Sequence, residues 1–217
     1  MSKITLIHAV DIAIAPVRRA FAQHWPEAQV THLWDEALGL ERAKSPQLTP
    51  ALRDRVAVLY QLALSGGADA VMYTCSAFGE AIEGLAADAS LPVLKPNQAM
   101  FDEAIALGQP VAMLGSFQPA MEGMEREFLN AAEGCGKCLA LRSVCVPEAR
   151  TALQAGDLDV HNQLMLDALQ QVKEPVVMLA HFSSAPAKDL LELRSDKTVL
   201  SSPDCAVRYL QHILRSE

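Results

Sequence analysis

The chain reads as one succession of elements written twice at a nearly constant offset, and this duplication limits the fold more than any other feature. Shifted by 107 residues, the run from Ile4 to Ile7 falls on the run from Val111 to Leu114. Ala9 then falls on Ser116, Arg19 on Arg126 and Phe21 on Phe128. Shifted by 106, Val71-Met72 falls on Val177-Met178, Cys75 on His181 and Val93-Leu94 on Val199-Leu200. With one residue of slack, Pro96 meets Pro203 and Ala99 meets Ala206.

Between these anchors, short apolar runs alternate with stretches of helical period. Strands are expected from Ile4 to Ile7, Val30 to Leu33, Ala70 to Thr74, Leu91 to Leu94, Pro110 to Leu114, Leu139 to Val146, Val176 to Leu179 and at Val199-Leu200. Thr49-Pro50 opens a helix as cap and first residue, and Gly66-Gly67 closes it. Asn97 is expected to cap a helix that Gly108 stops, and a helical stretch after Pro147 breaks at Gly156. The stretch from Trp34 to Leu48 shows little pattern and reads as a long connection, of the kind that often selects a ligand. Strand–helix alternation argues for α/β structure with parallel sheets flanked by helices. The expected architecture is two pseudo-twofold-related lobes, each with a four-stranded parallel sheet. Residues 1–97 plus 204–217 form the first and residues 98–203 the second.

Composition removes several classes of function. The 217 residues carry a net charge of −8 with no basic cluster, so nucleic acid and anionic membrane are poor partners. No apolar run approaches the ~20 residues of a membrane span. His8 and Asp11 interrupt the only segment that imitates a signal peptide, and a cytoplasmic location is expected. Five cysteines, an odd number, argue for reduced thiols.

The chemistry concentrates where an apolar run ends, at Val71 to Gly79. A buried strand stops at Thr74 and a helix begins a few residues later. Cys75 thus stands at a strand's carboxyl end near a helix start, where unpaired N–H groups favour thiolate. The competing reading is a small buried thiol without chemistry. Ligands bind beyond the carboxyl ends of parallel strands. If the lobes face each other, Cys75 and His181 approach one cleft from opposite sides, as an acid–base pair around one carbon.

Thr74-Cys75-Ser76-Ala77-Phe78-Gly79 resembles the first-cysteine motif of the aspartate/glutamate/hydantoin racemase superfamily, which also includes maleate isomerase and arylmalonate decarboxylase. The resemblance covers essentially the whole chain. It is also carried by the polar loop from His8 to Asp11, the turn Lys95-Pro96-Asn97 and the segment Leu114 to Phe117. It implies a cofactor-independent enzyme acting next to the carboxylate of a small amino-acid-like or dicarboxylic substrate, and no motif in the chain implies a metal or a nucleotide. A homodimer is a candidate assembly.

Cys75 would be the thiol acid/base, and His181 would stand in place of the second cysteine, which this chain lacks at Leu179 to Ser184. Ser76, Ala77, Ser116 and Ser183 would hold the carboxylate. His8 could contact substrate or be a hydrogen-bonded structural histidine. Lys95 could pair with a carboxylate or face solvent, and Asn97 completes the set of substrate-binding candidates. The reaction stays open between racemisation, cis–trans isomerisation and decarboxylation. Two rivals are a Cys-His hydrolase and a carboxylate-binding protein without chemistry. The lone Cys135-Gly136-Lys137-Cys138 reads as a glycine-containing loop, because a structural zinc needs four ligands.

Overall fold

The computed structural model describes residues 1–45 and 47–215. It divides into two compact units, one of residues 1–96 with the chain from Val207 onward, the other of residues 97–206.

The first unit runs β1 (Lys3–His8), α1 (Ile14–His24), β2 (Gln29–Trp34), α2 (Glu36–Lys44), α3 (Pro50–Ser65), β3 (Ala70–Tyr73), α4 (Gly79–Ala87) and β4 (Val93–Leu94). All strand pairs are parallel, in the order β2-β1-β3-β4. β3 is buried on every residue, as expected of a strand covered on both faces. Its residues Val71 and Tyr73 belong to one apolar cluster with Ile7, Val56, Tyr60, Phe78 and Ile82.

The second unit runs α5 (Gln98–Leu107), β5 (Val111–Gly115), α6 (Gln118–Gly134), β6 (Leu141–Cys145), α7 (Pro147–Gln154), α8 (Leu158–Leu169), β7 (Val176–Leu179), α9 (Lys188–Leu193) and β8 (Thr198–Ser201). Its sheet order is β6-β5-β7-β8, again all parallel. The order is that of the first unit, element for element. Ile4 pairs with Ala70 in one sheet and Val111 with Val176 in the other, so the offsets seen in the sequence are those of equivalent strand positions. A last helix, α10 (Ser202–Arg215), begins in the second unit and ends in the first.

Several local signals act as their chemistry requires. Thr49 Oγ1 accepts from the Leu52 N–H and Pro50 is the first residue of α3. Gly108 stops α5 at φ 65°, and Gly156 parts α7 from α8 at φ 80°, conformations that L side chains resist. Asn97 is the residue before α5, but its side chain does not cap that helix. Its Oδ1 accepts from the Ser202 hydroxyl at 2.7 Å and its Nδ2 donates to Met124 Sδ, a use that only the folded second unit creates.

The stretch from Trp34 to Leu48 is not an open connection. Trp34 ends β2 and residues 36–44 form α2, while Pro46 lies outside the described residues. Asp35 caps α2 by accepting from the Leu38 N–H, and Arg55 pairs with the Asp35 carboxylate. Leu38 is the one buried residue of this helix, so it has no apolar stripe to read.

Gly39 explains how α2 is seated. A Cβ there would lie 2.3 Å from the Ala9 carbonyl oxygen. Intrinsic propensity favours alanine over glycine in a helix by about 1 kcal/mol, but this contact is with backbone that cannot swing aside. Gly39→Ala is expected to destabilise by roughly 1–3 kcal/mol net, measured by urea unfolding; an unchanged midpoint would mean that α2 is loosely held.

Candidate active site

The carboxyl ends of the strands carry the polar residues in both units. In the first, the Thr74 N–H continues the ladder by donating to the Ile7 carbonyl at 3.0 Å. In the second, the Ala180 N–H does the same to the Leu114 carbonyl at 2.9 Å. One residue further on stand Cys75 and His181. Each precedes a 3-10 turn, Ser76–Phe78 and Phe182–Ala187 respectively, and each has extended backbone, with φ −121° and −113°. The two residues therefore hold equivalent positions.

Cys75 is half-buried at the margin of the apolar cluster of its unit. Ser76 and Ala77 follow it and are also half-buried. The turn is tied down by a residue that sequence reading did not single out. Arg42, near the end of α2, donates from Nε to the Ala77 carbonyl at 3.0 Å and from Nη1 to the Ser45 carbonyl at 2.5 Å. The sequence signal was present in the capping Asp35 and the basic last turn of α2. Arg42→Leu is expected to cost about 1.5–3 kcal/mol, the range for hydrogen bonds to a charged group. Urea unfolding measures it, and faster proteolysis near Ala77 would locate the loosening.

His8 is fully buried at the end of β1 and both its ring nitrogens are engaged. Arg18 Nε donates to His32 Nε2 at 3.2 Å, and a guanidinium cannot accept. The His32 proton therefore sits on Nδ1 and is given to His8 Nε2 at 2.9 Å. His8 in turn donates from Nδ1 to Thr74 Oγ1 at 2.8 Å, and Thr74 Oγ1 lies 3.4 Å from the Ile7 carbonyl. This is a directed chain from Arg18 to the residue before Cys75. It fits the hydrogen-bonded structural role for His8, since neither nitrogen is left for a ligand. Burial, then the neighbouring His32 and Arg18, push its pKa down to about 3. Burial and Arg18 lower His32 as well.

Each unit thus spans its first and third strands with one imidazole, but from opposite sides. In the second unit β5 ends in Gly115, and the ring comes from His181 beyond β7. The Ser116 N–H donates to His181 Nδ1 at 3.1 Å. Burial, then Arg150, lower the His181 pKa to about 4. Phe117 meets the imidazole edge-on at 6.5 Å between centroids, and Arg150 lies 4.8 Å over the Phe117 ring. Ser116 Oγ, His181 Nε2 and Ser184 Oγ are buried with no partner among the described residues. Ser183 is buried too, but it is its neighbour Ser184, not singled out from sequence, whose hydroxyl is left unmatched.

Lys95 is largely buried and pairs with Glu83 at 3.5 Å. Asn97 is taken up by Ser202 and Met124, as described above. Cys135 and Cys138 are exposed around Gly136, which turns at φ 69° after α6. Among the described residues no group of three His, Cys, Asp or Glu side chains could hold a metal ion, and no helix is long and apolar enough to cross a membrane.

Two four-stranded parallel sheets flanked by helices form an α/β fold like that of solved racemases. The chain belongs to the Asp/Glu/hydantoin racemase family, whose model matches residues 13–211. The fold is similar to glutamate racemase from Bacillus anthracis, with TM-score 0.76 and 16% identity over 99% of this chain and 82% of that one. It is also similar to allantoin racemase from Klebsiella pneumoniae, with TM-score 0.73 and 13% identity over 100% and 89%. Aspartate racemase from Picrophilus torridus gives TM-score 0.69 and 10% identity over 94% and 90%. No curated protein matches the chain in sequence.

Proposed function

We propose that this protein is a cofactor-independent enzyme of the racemase and isomerase type. It acts at the carbon next to a carboxylate of a small amino-acid-like or dicarboxylic substrate. Cys75 is the thiol that takes and returns a proton there, and His181 stands in the place of a second cysteine. One observation carries the reading: Cys75 and His181 occupy the same strand-end position in two units of identical strand order. Family membership supports it.

The chemical difficulty is the weak acidity of that carbon. Donors aimed at the developing enediolate, in a place shielded from water, are what lowers the barrier. The unmatched buried groups at Ser116, His181 and Ser184 are donors of this kind.

The test is α-proton exchange in deuterated water, followed by NMR. The panel holds both enantiomers of glutamate and aspartate, allantoin and a 2-substituted malonate. Exchange, or deuterium incorporation on loss of carbon dioxide, is the expected result, and the responding compound separates racemisation from decarboxylation. Tight binding across the panel with no exchange would make the protein a carboxylate sensor instead.

A further inference from the structure

We infer that His181 serves as a neutral hydrogen-bond donor, through Nε2–H, to an anionic oxygen of the substrate, and not as a second acid or base. This rests on the reading above that the substrate carries a carboxylate. The Ser116 N–H donates to Nδ1 at 3.1 Å, and an amide N–H cannot accept. Nδ1 therefore offers its lone pair, and the neutral ring must carry its proton on Nε2. His181 as a residue is half-buried, yet Nε2 itself is sealed from solvent and has no partner among the described residues. Buried donors are seldom left so, and a ligand oxygen is the partner that would satisfy it.

The surroundings hold the ring in this state. A Cβ at residue 115 would lie 2.9 Å from His181 Cε1 and 3.2 Å from Nδ1, so the bare strand end at Gly115 is what seats the imidazole. Accepting a proton would break the Ser116 bond, and burial, then Arg150, oppose the charge and push the basicity of the ring down to about 4. Giving up the Nε2 proton would leave an imidazolate, a far stronger base than any thiolate. The ring can therefore give a hydrogen bond but not a proton.

The experiment uses the full chain labelled with 15N, with imidazole spectra recorded between about pH 5 and 8. Loss of one set of signals in His181→Gln assigns the residue. The expected His181 ring is unprotonated at Nδ1, protonated at Nε2 and untitrated across the range. Adding excess malonate at neutral pH is expected to move the Nε2 proton downfield. An Nδ1–H tautomer, a midpoint near the ordinary value, or an Nε2 proton unmoved by malonate would each overturn the inference.

On a compound that exchanges, His181→Ala is expected to lose about 100-fold, and His181→Gln, which keeps a side-chain N–H, to recover part of that. Equal loss in the two variants would count against a donor role. The spectra do not depend on turnover, so failure of the exchange reading and failure of the donor reading are told apart.

Discussion

Acidification is expected to destabilise this protein steeply before its carboxylates are protonated. His8 and His181 have folded pKa values lowered to about 3 and about 4, whereas an unfolded histidine titrates near 6.5. Below that value the unfolded chain binds protons that the folded chain refuses. Stability is therefore fully present above about pH 6.5 and declines as pH falls toward the folded values. Each buried histidine contributes about 1.4 kcal/mol per pH unit in that window. The two together amount to several kcal/mol by about pH 4.5, a large share of the roughly 5–15 kcal/mol typical of a domain.

Burial also lowers His32 and His161, which adds to the slope in the same direction. Asp35, lowered by its bond to Arg55, acts only below the ordinary carboxylate value and so does not blur the window. Urea unfolding between about pH 7.5 and 4.5 measures the decline. His8→Leu should flatten it while lowering stability at neutral pH, because Thr74 and His32 lose their partner. A curve level from neutral pH down to about pH 5 would show that these rings take protons freely.

Cys75→Ala is expected to reduce α-proton exchange by at least about 10³-fold, near the upper range for loss of a general acid–base group. Thermal stability should hardly change. Cys75 only borders its apolar cluster, and Arg42 holds the following turn through the Ala77 carbonyl, which the substitution leaves in place. Cys75→Ser should be as inactive, since a hydroxyl does not ionise near neutral pH. The Cys-His hydrolase alternative predicts a trapped thioester on the wild-type thiol, which mass spectrometry would detect. Exchange that survives Cys75→Ala would remove the thiol from the chemistry altogether.

What the sequence disclosed was whatever repeats or is locally punctuated. The β3 and β7 segments match at an offset of 106, and that match alone aligned Cys75 with His181. Thr49-Pro50, Gly108 and Gly156 act within a few residues of themselves, so their effects were legible. The bonding of His8 was not. Its partners His32 and Thr74 come from different stretches and meet only when β2, β1 and β3 stand side by side. Asn97 looked like a helix cap because its partner Ser202 is far along the chain. α2 escaped because a helix resting on one leucine, with a glycine pressed against Ala9, has no period. The state of His181 was hidden for a related reason. A ring's tautomer is decided by whatever touches it, here one amide from a segment 65 residues away.

The route of α10 bears on how the polypeptide acquires its shape during synthesis. Residues 97–206 are continuous and can fold as soon as they leave the ribosome. The earlier-made half must wait, because Gln211 docks on the His24 carbonyl and Arg215 on Glu27, and Val207 and Leu210 are wholly enclosed. A chain released just short of Val207 should therefore carry a finished later half and an unfinished earlier one, open to chaperones and proteases.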